Sequence, residues 1–247
     1  MMLCAKIYHE PLKGTKARPA KSCLDILVSS HSKGTRVYWL DPPNTGIPIQ
    51  GFCDMDTDGG GWTIVKRTIL QSPLTPIKTA YNTYDVISAF SKYDQNVVPS
   101  GAAMLDILNK MGFHQIHFYC YKKSVGKVVS IMTKKNTAGQ QVVRYFTDDA
   151  FAKTTFPDAC GSFDRLPDDT SILAKNCDKC GKDHLGTVRV NKWSYRGKHG
   201  VGRFSSRPFA MHGETLHGFG VLPLICDDSF ESPQPLNLKD AWRVSVR

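Results

Sequence analysis

The sequence Gly51-Phe-Cys-Asp-Met-Asp-Thr-Asp-Gly-Gly-Gly-Trp-Thr-Ile-Val-Lys-Arg67 decides the fold, because two apolar runs flank a segment of aspartates and glycines. The apolar runs are typical of β-strands. Three consecutive glycines can adopt positive φ or let another part of the backbone approach closely. The aspartates can form Asx turns with the neighbouring backbone. The stretch therefore predicts a β-hairpin that carries Cys53 on its first strand.

Three separately spaced elements resemble the opening of a fibrinogen C-terminal-like domain. They are Lys21-Ser-Cys-Leu-Asp-Ile26, Gly34-Thr-Arg-Val-Tyr38 and Phe52-Cys-Asp-Met-Asp-Thr-Asp-Gly-Gly-Gly-Trp-Thr63. The resemblance is close over residues 21–67 and implies that Cys23 and Cys53 form a disulfide. Residues 68–247 diverge from the usual pattern of that family.

The divergent remainder is similar to short fibrinogen-like proteins from the extracellular and skeletal matrix of corals and their relatives. The similarity rests on short pieces, among them Phe118-Tyr-Cys120, Leu166-Pro-Asp-Asp-Thr170 and Trp242-Arg-Val-Ser-Val-Arg247. It implies an extracellular protein with a role in recognition or in a matrix.

The eight cysteines allow up to four disulfides and, with the fibrinogen-like opening, predict an oxidising compartment. The resemblance, followed by elimination for the last pair, implies Cys23–Cys53, Cys160–Cys177 and Cys120–Cys226. We expect Cys4 and Cys180 to be additions that pair with each other or with another chain, and a homo-oligomer is a separate alternative for the assembly of the chain. Half a zinc site at Cys177, Cys180 and His184 is the alternative, but no second ligand pair follows at a suitable spacing.

The composition predicts one folded domain. A chain of 247 residues with 41% hydrophobic residues can bury a sizeable core. We interpret residues 1–20 as a basic N-terminal tail and residues 21–247 as a single fibrinogen-like domain. The predicted fold class is α+β, with a twisted, largely antiparallel sheet, few helices and long disulfide-braced loops. Aspartate outnumbers glutamate, which favours such turns and loops.

The expected location is extracellular. Residues 1–20 lack the apolar region of a signal peptide. We expect a secreted protein whose signal peptide is not present in this chain, and the alternative is an intracellular protein with reduced thiols. The apolar run over residues 219–226 is too short for a transmembrane segment.

Local patterns predict several elements. Apolar residues repeat at helical spacing up to Met111, which predicts a helix with Ser100 as its N-cap and Gly112 after its end. Strands are predicted for residues 36–40 and for the pair 114–121 and 127–133. Residues 140–146 fit either a strand or a helix. Residues 70–84 and 148–190 are predicted to be loops, the second pinned by disulfides.

The last strand shows the clearest alternation. Trp242, Val244 and Val246 alternate with Arg243, Ser245 and Arg247. Because successive side chains of a strand point to opposite sides of a sheet, one side should be buried and the other solvated and cationic. The regularity of this strand predicts that it completes the main sheet.

The candidate ligand-binding segment runs from Trp193 to Arg207, where cationic and aromatic residues alternate along a glycine-rich stretch. Guanidinium groups and aromatic rings together can bind sulfate, carboxylate and sugar rings. The residues assigned to ligand binding are Trp193, Tyr195, Arg196, Lys198, Arg203 and Arg207. The alternative is a solvated basic loop with Trp193 in the core.

Calcium is the cofactor that the sequence suggests. Asp168, Asp169 and Asp178 are hard oxygen ligands in a disulfide-braced loop, which suits Ca²⁺, although turns and caps are the alternative role for such residues. Asp227-Asp228 is a weaker candidate. The segment from Asp54 resembles the start of an EF-hand loop, but its twelfth position is Val65 in place of the required glutamate. A structural turn is therefore predicted there.

The net charge indicates the partner. There are 32 Lys and Arg against 22 Asp and Glu, a formal charge of +10, which predicts attraction to polyanions. No nucleic-acid-binding fold accompanies this charge, so glycans or sulfated and other anionic matrix polymers are the expected partners.

The sequence also bears on catalysis. No nucleophile with a base, paired carboxylates or phosphate-binding loop occurs at catalytic spacing, so an enzyme is not expected. We interpret the chain as an extracellular recognition module with a lectin-like or adhesive role. The alternative is a structural, disulfide-bonded matrix protein, and a hydrolase is a more distant alternative.

Overall fold

The computed structural model describes residues 10–72, 76–92, 95–175, 177, 193, 209–211, 214–218, 225–228 and 236–247. The helices are α1 (Cys23–Val28), α2 (Thr83–Ser88), α3 (Gly101–Met111), α4 (Thr137–Thr147), α5 (Asp149–Thr154) and α6 (Ile172–Lys175). The strands are β1 (Arg36–Leu40), β2 (Ile49–Asp54), β3 (Trp62–Ile69), β4 (Lys78–Ala80), β5 (Val97–Pro99), β6 (Ile116–Lys122), β7 (Lys127–Thr133), β8 (Phe163–Arg165), β9 (Phe209–Met211), β10 (Glu214–Gly218), β11 (Ile225–Asp228) and β12 (Ala241–Val246).

The main sheet has the strand order β1-β2-β3-β12-β6-β7-β8, and every pair along this path is antiparallel. β5 pairs with β3 and also with β4, to which it is parallel. A second sheet has the order β11-β10-β9. The predicted α+β class with a largely antiparallel sheet is confirmed. The last strand, β12, lies between β3 and β6, so it joins the two halves of the main sheet.

The predicted hairpin is formed by β2 and β3. The Asp54 carboxylate accepts hydrogen bonds from the backbone N–H groups of Asp56 and Thr57, both at 3.0 Å, and from the Thr57 hydroxyl at 2.7 Å. Gly60 has φ +79°, and a Cβ atom there would overlap with the carbonyl of Met55. The aspartates and glycines thus build a tight turn, as predicted.

Two helices follow local sequence signals. In α3, the Ser100 side chain accepts a hydrogen bond from Ala103 N at 3.1 Å, and Gly112 ends the helix with φ +74°. Both predicted caps are confirmed. Residues 140–146, which fit either structure, belong to α4, where Asn136 is the N-cap and accepts from Gly139 N at 2.9 Å.

The segment 70–84 differs from its prediction as an irregular loop, because β4 and the start of α2 lie within it. These short elements depend on distant partners. β4 pairs with β5, and the Asp106 carboxylate of α3 accepts from Thr83 N at 2.9 Å and from Thr83 Oγ1 at 2.7 Å. Likewise, α5, β8 and α6 lie within residues 148–190, which were predicted as a loop.

Residues 10–20, part of the predicted tail, contact β1. Trp39 N donates to Gly14 O at 2.9 Å, and Ala20 N donates to Trp39 O at 3.1 Å. Lys13 forms an ion pair of 2.7 Å with Asp25 of α1. The division of the chain into a tail and one domain stays a prediction.

The core contains large aromatic side chains, among which Trp62, Trp193, Trp242, Phe118 and Phe146 are fully buried. All of these except Trp62 belong to one cluster of buried residues that includes side chains from the main sheet and its flanking helices. Within the described ranges, no helix has the length and apolar character needed to span a membrane.

Candidate functional site

A polar face of the main sheet is the first candidate site. β12 places Arg243 opposite Tyr119 of β6, and Ser245 opposite His117. We call this surface the arginine face; its residues are Trp62, His117, Tyr119, Arg243, Ser245 and Arg247. The alternation along β12 was predicted, but the cationic side is not the solvated surface that we expected. Ser245 and His117 are buried, and both arginines form ion pairs.

Arg243 contacts a carboxylate and an aromatic ring. Its Nη2 atom lies 3.3 Å from Asp54 Oδ2, and its guanidinium carbon lies 4.9 Å from the centre of the Tyr119 ring. Burial raises the pKa of Asp54, but hydrogen bonds from Thr57 and the Arg243 charge outweigh burial and hold that pKa below its ordinary value. Asp54 therefore stays ionised and holds Arg243 against the turn.

Arg247 clamps the glycine-rich turn. Its Nη2 atom donates to Asp58 Oδ2 at 2.6 Å, and its Nη1 atom donates to the carbonyls of Asp58 at 2.6 Å and Gly60 at 3.0 Å. Its Nε atom donates to Gln115 Oε1 at 3.0 Å, and its guanidinium carbon lies 4.1 Å from the centre of the Trp62 ring. Acceptors within the fold thus pair with the guanidinium group of Arg247, which indicates a structural role.

His117 lies at the centre of the arginine face. Its Nε2 atom lies 3.1 Å from Ser130 Oγ, and within the described part of the chain no group hydrogen bonds to its buried Nδ1 atom. Burial, followed by the charges of Arg243 and Arg247, lowers the pKa of His117 to about 3, and the charge of Asp54 only partly opposes this shift. The imidazole is therefore neutral at physiological pH.

The pairing of Ser130 with His117 invites comparison with a hydrolase. A nucleophilic serine must reach substrate, and the histidine is normally oriented by a third group on its other nitrogen. Both side chains here are buried, and no described carboxylate orients His117 Nδ1. The geometry therefore suits a buried structural pair better than a catalytic one.

A surface cleft of about 250 Å³ lies between β4, β5 and α2. Polar side chains line it, namely Lys78, Thr79, Asp85, Ser88 and Gln95. Next to it in the sequence are Tyr81 and Tyr84, which are 67% and 58% exposed. We call this region the tyrosine cleft. Sequence reasoning missed it because residues 70–84 were predicted as an irregular loop.

A larger groove of about 530 Å³ lies between α3 and α4. Leu105, Leu108 and Val143 give it an apolar base. The charged groups at its rim are paired with each other, since Arg144 Nε lies 3.1 Å from Asp148 Oδ2. The groove therefore offers little unpaired positive charge to an anionic ligand.

The N-terminal part of the chain is similar to known proteins. A family model of the C-terminal globular domain of fibrinogen beta and gamma chains matches residues 19–85. Residues 19–85 are therefore similar to part of a fibrinogen-like domain. Human fibrinogen C domain-containing protein 1 is 36% identical over 69 residues, which cover 26% of this chain and 15% of that protein. Techylectin-5A of Tachypleus tridentatus is 41% identical over 46 residues, or 18% of this chain and 16% of that protein.

The fibrinogen-like match thus covers a small part of each curated relative. Among solved structures, the fibrinogen-like globe domain of human ANGPTL2 aligns with 93% of this chain and 99% of that chain, with a TM-score of 0.40 and 18% identity. The similarity of residues 68–247 to coral matrix proteins stays a prediction.

Three disulfides connect distant parts of the described chain. Cys23 bonds to Cys53, with 5.4 Å between their Cα atoms, and links α1 to β2. The other two bonds are Cys120–Cys226 and Cys160–Cys177. All three predicted pairs are therefore present in the structure. Cys4 and Cys180 lie outside the described residues, so their pairing stays a prediction.

Trp193 is not the stacking surface that we expected. It is fully buried, its Nε1 atom donates to Ser162 Oγ at 2.8 Å, and its ring centre lies 5.1 Å from that of Phe118 and 5.7 Å from that of Phe146. An indole in this position packs the core and cannot contact a sugar. The other predicted ligand-binding residues lie outside the described residues: Tyr195, Arg196, Lys198, Arg203 and Arg207.

Asp169 does not fit the predicted calcium site, whereas calcium binding at Asp168 stays a prediction. Asp168 is exposed, whereas Asp169 is buried and both of its carboxylate oxygens accept hydrogen bonds. The donors are Ser130 N at 2.8 Å, Ser171 Oγ at 2.9 and 3.0 Å, and Arg165 Nε at 2.5 Å. Arg165 supplies the positive charge at this carboxylate. Burial raises the pKa of Asp169, and these donors only partly oppose the rise.

The weaker calcium candidate is also occupied by protein groups. Asp227 Oδ2 lies 3.3 Å from Lys127 Nζ and accepts from Ile172 N at 2.8 Å. Ca²⁺ takes about six to eight oxygen ligands, but nowhere in the described ranges do three His, Cys, Asp or Glu residues form a group that could hold a metal ion. Asp178 lies outside the described residues. Calcium binding elsewhere in the chain stays a prediction.

Proposed function

We propose that this chain is an extracellular, non-catalytic recognition domain that binds anionic glycans or other anionic matrix polymers. The observation that carries the proposal is the fibrinogen-like segment at residues 19–85, which belongs to a family of recognition modules. One similar protein, techylectin-5A, has a name that denotes a lectin. That name supports a glycan as the ligand.

The charge of the chain supports an anionic ligand. A formal charge of +10 raises the local concentration of polyanions and accelerates their association at low salt. Such attraction acts at long range and does not distinguish one polyanion from another. A specific binding site must therefore supply the discrimination.

The disulfides support an extracellular location. Bonds such as Cys23–Cys53 persist in oxidising compartments and are rare where glutathione keeps thiols reduced. The buried Ser130 and His117 pair supports a role without catalysis, because neither side chain is accessible to a substrate.

The test measures binding to immobilised anionic polymers of different chemistry. We expect saturable binding to heparin or chondroitin sulfate, with competition by short oligosaccharides of the same polymer. Binding should weaken as salt rises, because counterions screen the ionic contacts. Polyglutamate is the matched control for charge alone.

Equal binding to polyglutamate and to the sulfated glycans would favour a structural matrix protein that is retained by charge. Absence of binding to every glycan at low salt would contradict the proposed function. Hydrolysis of any polymer during the assay would contradict the non-catalytic assignment.

A further inference from the structure

The tyrosine cleft has the dimensions of a site for one sugar ring. Pockets of about 300–1,000 Å³ hold drug-sized ligands, so a cleft of about 250 Å³ suits a smaller group. Its described lining is mainly polar, with Asp85, Ser88 and Gln95 able to exchange hydrogen bonds with hydroxyl groups.

Two exposed aromatic residues, Tyr81 and Tyr84, are next in the sequence to the lining residues Ala80 and Asp85. Tyr84 and Ser88 are four residues apart on α2, and Asp85 and Ser88 are three apart, so helix geometry brings these side chains together. Tyr81 directly follows β4. An exposed tyrosine offers a large apolar surface at a low cost in conformational entropy, which is why tyrosine is common in binding surfaces. The C–H face of a pyranose can pack on such a ring.

A cation completes the set of groups. Lys78 lines the cleft, is exposed, and makes no ion pair or side-chain hydrogen bond with another described residue. Its backbone is held by β4, where Lys78 N donates to Asn96 O at 3.0 Å. The ammonium group is therefore available to a carboxylate or sulfate on a ligand.

Hydrogen bonds hold the start of α2 beside the cleft. Asn82 and Asp85 cap the start of α2 reciprocally, since Asn82 Nδ2 donates to Asp85 Oδ2 at 2.8 Å and Asp85 N donates to Asn82 Oδ1 at 2.9 Å. The hydrogen bonds from Thr83 to Asp106 attach the same turn to α3. Groups held in this way lose little conformational entropy when a ligand binds.

We propose that the tyrosine cleft binds one acidic pyranose of a glycan, with the sugar ring on Tyr84, the carboxylate or sulfate on Lys78, and ring hydroxyls on Asp85 and Gln95. This assignment rests on the proposed function and gives it a location. It differs from the segment 193–207 that the sequence suggested.

The test compares four variants by calorimetric titration with two defined probes. A hyaluronan tetrasaccharide carries only carboxylates, and a heparin tetrasaccharide carries sulfates as well. Tyr84→Ala and Lys78→Gln should each weaken binding by about tenfold. Tyr84→Phe keeps the ring and should bind within about twofold of the unmodified chain. Lys153→Gln, an exposed lysine on α5, removes the same charge elsewhere and should also stay within about twofold.

Melting temperatures check that each variant is folded. We expect the Tyr84 variants to fold because Tyr84 is 58% exposed. A larger effect of Lys78→Gln on one probe than on the other identifies the acidic group that the cleft binds. Unchanged binding in both Tyr84→Ala and Lys78→Gln would overturn the cleft and leave the proposed function intact. Failure of the unmodified chain to bind either probe or any sulfated polymer would overturn both.

Discussion

Lowering the pH from 7 to 5 should destabilise the fold through His117, whose pKa is about 3 in the folded chain. An exposed histidine in the unfolded chain titrates at about 6.5. As the pH falls below about 6.5, the unfolded state therefore binds a proton that the folded state does not. The stability that neutral His117 contributes is fully present above about pH 6.5 and is lost progressively down to about pH 3. Integrating this linkage from pH 7 to pH 5 gives a loss of about 2 kcal/mol.

The cause of this loss lies in the arginine face. Burial removes the water that would solvate an imidazolium, and Arg243 and Arg247 add repulsion of like charge. Asp54 is the opposing charge, but Arg243 already pairs with it. Protonated His117 would thus lack a compensating partner, so the fold excludes the proton.

The assay is urea denaturation at pH 7, 6 and 5 for the unmodified chain and for His117→Gln. Glutamine does not titrate in this range and can still hydrogen bond to Ser130. Between pH 7 and pH 5, the free energy of unfolding should fall in both proteins, but the fall should be about 2 kcal/mol smaller in His117→Gln than in the unmodified chain. His114→Gln, at an exposed position, is the matched control and should retain nearly the full loss. Equal losses in the unmodified chain and His117→Gln would refute the argument.

Three other perturbations test the fold. Gly60→Val should prevent folding, because its φ of +79° and the nearby carbonyl leave no room for a Cβ atom; a native circular dichroism spectrum would contradict this. Arg247→Gln should lower the free energy of unfolding by about 2 kcal/mol, because it removes charge-assisted hydrogen bonds to the turn. In the same denaturation assay, Arg144→Gln at an exposed position should lower it by less than about 0.5 kcal/mol. Replacing Cys23 and Cys53 by serine should lower stability by about 4 kcal/mol, because the bond closes a loop with a sequence separation of 30; an unchanged denaturation midpoint would show that the bond does not stabilise the fold.

Local signals explain why some elements could be predicted. The caps of α3 act on groups within about three residues, and the turn of the β2–β3 hairpin depends on Asp54 and Gly60, which lie within one short segment. In contrast, β4 and α2 were missed, since each is short and gains its stability from β5 and α3. No pattern within residues 70–84 specifies those partners. The tyrosine cleft, which needs all of these elements together, was missed for the same reason.

The sequence by itself determined the hairpin turn, the cap residues of α3 and the alternation that puts Arg243 and Arg247 on one side of β12. It could do so because glycine conformation, capping and strand periodicity are local properties. Only the tertiary structure decided what that side of β12 meets. Asp58 and Arg247 are 189 residues apart in the chain, and their ion pair exists because β12 lies between β3 and β6. The same packing buried Trp193 in the core, since burial depends on neighbours that are distant in sequence.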